Sequence, residues 1–221
     1  MSQPKLKLVS FDMCAYVQRP RIILEEKKLE HEVEYIDLNM PPDWFYDVSP
    51  LEKVPVLLVD DEPLFESMVI CEFLDNISGD DLYPKDPFKR AQLKAWIALG
   101  DSILGTVYDF LQTTSETEFK QAKAIVLDRL DILEEELSAS PFFTGEKFGM
   151  VDVAYAPLFR FLTGIALHGN IDFYEDTPQI KAWSGQLLSH PAIQASVPAG
   201  YEDALKSYLK RPDSILSRHI N

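Results

Sequence analysis

The chain opens on short alternation. In LKLVSF (6–11) apolar and polar positions follow the two-residue period of a strand, and in VQRPRIILEEKKL (17–29) Ile22, Ile23 and Leu29 fall on one side of a helix. EVEYIDL (32–38) returns to the strand period, and a helix of that length can bring the two strands side by side in parallel. A turn-rich stretch, NMPPDWFYDVSPLEK, leads to VPVLLVDDEPLFES, which reads as a strand, a tight DDEP turn and a return strand. SMVICEFLDNI (67–77) then has helical spacing. The first 80 or so residues therefore predict the order βαβ followed by ββα.

SGDDLYPKDPFKR (78–90) concentrates Gly, Pro and Asp, the composition of a linker, and after it the strand signal disappears. AQLKAWIALGDSIL, EFKQAKAIVLDRLDILEEEL, MVDVAYAPLFRFLTGIAL and TPQIKAWSGQLLSH all carry helical periodicity. The expected fold class is α/β plus all-α. A thioredoxin-like domain at 1–80 is followed by a linker at 81–90 and a helical bundle domain at 91–221. The chain has no internal repeat and no low-complexity run.

Composition narrows the partners more than the fold. With 221 residues, 46% hydrophobic and 26% charged, the chain can bury one large core or two small ones. Its formal net charge of −15 repels phosphate backbones and anionic lipid, so neither nucleic acid nor a membrane surface is an expected partner. An anionic ligand would need a local Arg or Lys to oppose that field. The N-terminus runs straight into strand-like sequence without a signal-peptide core, and no run approaches the roughly 18 apolar residues of a membrane span. Two cysteines, Cys14 and Cys71, do not make a disulfide framework, which points to a reducing cytoplasm. The four histidines are scattered without metal-ligand spacing, and no metal is expected.

Cys14 follows the first strand and precedes the first helix, where free backbone N–H groups and the helix dipole favour thiolate. With Arg19 and Arg21 nearby, a pKa well below the ordinary thiol value of about 8.5 is expected. Cysteine is also a frequent core residue, and simple packing explains the position equally well. In VPVL (54–57), Pro55 suits a strand start; a cis Val54–Pro55 bond would turn the Val54 backbone toward a ligand, and an ordinary trans proline is the commoner case. Ser67 can cap the third helix, or its hydroxyl and the helix-start amides can take a ligand carboxylate, with Glu66 free to meet an ammonium group. Lys53 is either a second carboxylate contact or a solvated lysine. Asp152, three residues after Gly149, reads as half of a capping box and so as structural. Cys71, flanked by Met68, Ile70 and Leu74, reads as core.

Taken in order, C-A-Y-V-Q-R after strand one, W-F-Y-D-V-S-P-L-E-K-V-P-V-L, E-S before helix three and a helical second half resemble the cysteine-type glutathione transferases, omega class and bacterial relatives above all. The resemblance spans essentially the whole chain and is most specific from Asp43 through Leu82. It implies that Cys14 faces the glutathione sulfur and forms a mixed disulfide with it. It further implies that Val54, before a cis Pro55, holds the cysteinyl part of glutathione, that Glu66 and Ser67 hold the γ-glutamyl end, and that Lys53 meets the glycine carboxylate. Asp152 matches the family's helix-capping aspartate. Glutathione would be the co-substrate, a small or protein-bound disulfide the acceptor, and the assembly a homodimer.

The implied activity is glutathione-dependent thiol transfer, by deglutathionylation or a dehydroascorbate-type reduction. Four departures run against it. Ala15 stands where the family has proline, Pro20 falls inside the first helix unless that helix starts late or kinks, and Asp47 stands where omega relatives carry lysine. Gly149 leaves the capping box with one half. The other reading is a binding or regulatory protein of the same fold, like the stringent starvation proteins, without significant catalysis. A hydroxyl-type transferase fits less well, because Ser10 lies within the strand and Tyr16 two residues late.

Overall fold

A computed structural model describes residues 3–79 and 81–220. It divides into two compact units, the chain through Leu82 together with Pro191–Ala199, and Tyr83–His190 together with the chain from Gly200 onward.

The first unit is built on a four-stranded sheet in the order β2-β1-β3-β4. β1 (Leu6–Ser10) runs parallel to β2 (Glu32–Tyr35), with Leu8 opposite Val33, and antiparallel to β3 (Val56–Val59), with Leu8 opposite Leu57. β3 and β4 (Glu62–Phe65) form a hairpin whose two loop residues, Asp60 and Asp61, both have positive φ (49° and 71°). A two-residue loop of that hand matches the twist of the flanking strands, which is why the DDEP signal closes so tightly. Asp60 adds a side-chain acceptor for the Lys5 N–H at 2.9 Å. Leu6, Leu8 and Val9 are no more than 1% exposed, so β1 is the buried centre of the unit.

The helices depart from the sequence reading in position rather than in kind. α1 (Ala15–Glu26) begins directly after Cys14 instead of starting late, and Pro20 sits inside it. The proline removes the helical bond to the Tyr16 carbonyl, at a cost of about 3 kcal/mol that packing must offset. Arg19, Pro20, Ile22, Ile23 and Leu24 are all buried, which supplies that packing. α2 (Asp43–Val48) is a short helix that buries Phe45 completely. α3 (Ser67–Ser78) packs along α1 and ends on Gly79 in the left-handed conformation (φ 76°) that glycine adopts without penalty. A buried ion pair, Lys27 Nζ to Asp75 Oδ1 at 3.5 Å, joins the ends of these two helices, and both Asp75 oxygens also accept the Leu82 N–H. α8 (Pro191–Ala195) packs on α1 although more than a hundred residues separate them, and the Arg21 guanidinium donates to the Ala195 carbonyl at 3.2 Å.

The second unit is helical: α4 (Pro87–Gln112), α5 (Glu116–Glu136), α6 (Met150–Gly169), α7 (Pro178–Leu188), α9 (Tyr201–Leu209) and a 3-10 turn at Ile215–His219. α4 starts within the 81–90 segment read as linker, with Asp86 capping it through the Lys89 N–H at 2.8 Å. α6 packs against α4, α7 and α9. Contrary to the sequence reading, α6 is long and apolar enough by composition to cross a membrane; most of it is buried inside its own unit as the core helix. Its contact with α4 is close, since a Cβ added at Gly100 would lie 2.8 Å from the Tyr155 ring.

Candidate functional site

The end of β1 delivers Cys14 to the start of α1. The residue is extended (φ −73°, ψ 115°), occupies the N-cap position and makes no side-chain capping bond. Its thiol meets the Val54 carbonyl instead, with Sγ 3.8 Å from the oxygen, a contact that suits an S–H donor. The Val54–Pro55 peptide bond is cis.

The ionisation of Cys14 overturns the sequence expectation. Burial pushes its thiol up, and although the N–H groups of Val17 and Tyr16 and the charge of Arg19 pull it down, burial is the largest influence and the net shift is upward. The helix start thus acts in the expected direction, but desolvation of a thiolate in a packed site exceeds it. Arg21 is committed elsewhere, to the Tyr35 hydroxyl at 3.2 Å, Glu25 at 3.3 Å and the Ala195 carbonyl.

A cavity of about 290 Å³ in the first unit brings together Tyr16, Lys53, Val54, Pro55, Glu66 and Ser67. Five of these were singled out in the sequence; Cys14 is not itself a lining residue and reaches the cavity through Val54. Glu66, not Ser67, is the N-cap of α3, and its side chain makes no capping bond. Its backbone has φ 72° and ψ 113°, a conformation costly for a residue with a Cβ, so the exposed carboxylate is presented from a constrained position. Ser67 is the first helical residue, buried, and its hydroxyl accepts from Arg19 Nη1 at 3.5 Å rather than capping the helix. Lys53 is exposed at the cavity wall. Asp47 lies exposed on α2 and does not line the cavity.

Ser49 was not singled out in the sequence. It is 2% exposed, and its hydroxyl donates to the Lys53 carbonyl at 2.8 Å and accepts the Lys53 N–H at 2.9 Å. One side chain thereby closes the turn that carries Lys53 and Val54 to the cavity. A serine followed by Pro-Leu-Glu-Lys is the available signal, a hydroxyl placed to bond the backbone of its own turn.

Asp152 lies in the second unit at the start of α6, 0% exposed. One oxygen accepts the Gly149 N–H at 2.8 Å; the other accepts the Phe143 N–H at 3.0 Å and the Trp183 indole N–H at 2.7 Å. Gly149 has no side chain to answer, so half of a capping box is present. Burial pushes the Asp152 carboxyl up to about 6 in spite of the three donors. Among the described residues no group of three or more His, Cys, Asp or Glu side chains is placed to hold a metal ion.

The family model described as glutathione S-transferase, N-terminal domain, matches residues 13–77, and the one described as glutathione S-transferase, C-terminal domain, matches 116–185. The chain belongs to the glutathione S-transferase family. The N-terminal match contains Cys14 and every cavity residue named above, and the C-terminal match contains Asp152. A probable glutathione S-transferase of Glycine max is 30% identical over 95% of this chain and 94% of its own length. Glutathione S-transferase omega-2 of Rattus norvegicus is 30% identical over 86% of this chain and 77% of its own. Among solved structures, rice GST1 in complex with glutathione is similar, with a TM-score of 0.84 and 26% identity over 95% of this chain and 98% of that one. The four-stranded sheet with its helices, followed by helices alone, is thus a glutathione S-transferase fold.

Proposed function

We propose that this transferase is a glutathione-dependent thiol transferase, with Cys14 as the nucleophile and glutathione as co-substrate. The observation that carries the reading is the contact of Cys14 Sγ with the Val54 carbonyl, at the wall of the same cavity that holds Glu66, Ser67 and Lys53. A tripeptide with one ammonium and two carboxylates has a partner there for each group. Glu66 meets the ammonium, the Ser67 hydroxyl and the amides at the start of α3 meet the γ-glutamyl carboxylate, and Lys53 meets the glycine carboxylate. The Val54 backbone sits between them, alongside the cysteinyl residue.

In the reaction, the Cys14 thiolate attacks the glutathione sulfur of a glutathionyl mixed disulfide. The old S–S bond breaks, the acceptor leaves as a thiolate and takes up a proton, and Cys14 is left bonded to glutathione. The thiolate of a second glutathione then attacks the glutathione sulfur, releasing glutathione disulfide and regenerating Cys14. Because burial raises the thiol, the attacking thiolate is the minor form at neutral pH, but a more basic thiolate is intrinsically more nucleophilic. The expected rate climbs with pH.

Intact-protein mass spectrometry after incubation with glutathione disulfide tests the reading: one glutathionyl adduct on the parent chain and none on Cys14→Ser is expected. An adduct that survives Cys14→Ser refutes the assignment of the nucleophile. The raised thiol also favours a second reading, a glutathione-binding protein of this fold with little catalysis, which predicts binding without an adduct. The working assembly is a homodimer. With −15 per chain, association is expected to strengthen as salt screens the repulsion, and a species of one-chain mass at every concentration in sedimentation equilibrium refutes it.

A further inference from the structure

Arg19 has no part in the chemistry just described, yet it is the largest fully buried side chain among the described residues, 1% exposed. Enclosing a guanidinium costs several kcal/mol unless its surroundings compensate. Its compensation comes partly from cavity residues. Nη1 donates to the Ser67 hydroxyl at 3.5 Å, and the guanidinium carbon lies 5.2 Å from the centre of the Tyr16 ring, within the range of a cation–π contact. Its charge also acts on the Cys14 thiol, pulling it down against burial.

We propose that Arg19 is a positioning residue that serves both ends of the ligand at once, orienting the Ser67 hydroxyl at the γ-glutamyl end and supplying the positive charge at the Cys14 end. This rests on the reading that the cavity takes glutathione. A serine hydroxyl has one hydrogen to donate and two lone pairs. When Arg19 fills a lone pair, the O–H is left to be donated to a carboxylate in the cavity. At the other end the same cation opposes the burial of the thiolate. The other charged groups around this pair are placed differently. Asp12 is exposed in the turn before Cys14, and Glu66 is exposed at the start of α3. Farther along α3 stand Glu72 and Asp75, the latter held by Lys27, and α8 (PAIQA) brings no charge to its contact with α1.

The test uses the full chain in four forms: parent, Arg19→Gln, Arg19→Lys and Ser67→Ala. Two quantities are read, the pH midpoint of iodoacetamide alkylation at Cys14 by peptide mass spectrometry and the affinity for reduced glutathione by calorimetry. Arg19→Gln is expected to move the midpoint up by at least about half a unit and to weaken binding about tenfold. Arg19→Lys keeps the charge without the planar fork, so the midpoint returns close to the parent's while binding stays weakened. Ser67→Ala weakens binding and leaves the midpoint where it was. A folded Arg19→Gln with the parent's midpoint overturns the proposal. Should Arg19→Gln fail to fold by circular dichroism, the other two variants decide: weakened binding in both supports the proposal, and parental affinity in either overturns it. If the parent chain binds no glutathione, the functional reading fails, and the alkylation midpoints alone decide the role of Arg19.

Discussion

Replacing Asp152 with Asn separates two effects that meet at the start of α6. The carboxylate accepts three N–H groups, from Gly149, Phe143 and Trp183, and Asn keeps the shape while turning one acceptor into a donor. At least one of those donors is then left facing another donor, and Asp152→Asn is expected to destabilise the protein by about 1–3 kcal/mol at neutral pH. The second effect adds to the first on acidification. The folded carboxyl titrates near about 6, against the usual 3.8, because burial disfavours its charge. A group whose folded pKa is raised binds its proton more readily in the native state, so it stabilises the fold as pH falls through about 6 and that contribution is lost as pH rises. At about 1.4 kcal/mol per unit the full shift corresponds to about 3 kcal/mol, of which about 1.4 kcal/mol develops between pH 8 and pH 5. Asn does not titrate, so urea unfolding of the parent and Asp152→Asn at pH 5, 6, 7 and 8 isolates the term, other groups cancelling in the difference. The advantage of the parent over Asp152→Asn is expected to grow by about 1.4 kcal/mol from pH 8 to pH 5. An advantage that instead shrinks on acidification means that the three donors hold the carboxylate charged and that burial does not govern this site.

Two further outcomes follow from the geometry. Alkylation of Cys14 by iodoacetamide is expected to accelerate through the alkaline range, since burial holds the thiol protonated at neutral pH, while the fully buried Cys71 stays unmodified in the native state; a rate already at its plateau at pH 6 refutes the upward shift. Glu134 of α5 accepts the Gln179 and Ile180 N–H groups with its two oxygens, each at 2.8 Å, and so caps α7 from another helix. Glu134→Ala is expected to lower stability by about 1–2 kcal/mol in urea unfolding, and a loss indistinguishable from that of an exposed α5 residue such as Glu135→Ala refutes the capping role.

What could be read from the sequence was local, and what could not was a matter of burial. The hairpin, the first and third helices and the succession of long helices follow from periodicity within a dozen residues. Val54, Pro55, Glu66 and Ser67 were legible because a strand start and a helix start expose backbone groups wherever they occur. The sign of the Cys14 shift was not, because desolvation depends on everything packed around the sulfur, and the sequence shows only the helix start and two arginines. One of those, Arg21, turns out to bind Tyr35, Glu25 and Ala195. Of the two roles the sequence offers Ser67, helix cap and carboxylate contact, the first rests on serine being a good cap. Ser67 stands one position inside the helix, and Glu66 takes the boundary in a conformation that no propensity favours. Glu134 and α8 escaped notice for one reason: each acts on a segment tens of residues or more away, and no spacing rule reaches that far.

The docking of Pro191–Ala199 on the first unit bears on how the chain is made. A ribosome that has just released residues 1–82 has produced the whole sheet, Cys14 and the cavity walls, but α1 still lacks the helix that covers one of its sides. That cover is synthesised only after nearly all of the second unit. The first unit is therefore completed only after most of the second, although it is translated first, and a fragment that stops at the apparent boundary leaves part of α1 and the Arg21 guanidinium open to water. Excision of this unit for separate expression, or its exchange between relatives, calls for carrying Pro191–Ala199 along with it, by a circular permutation or a short graft rather than a single cut.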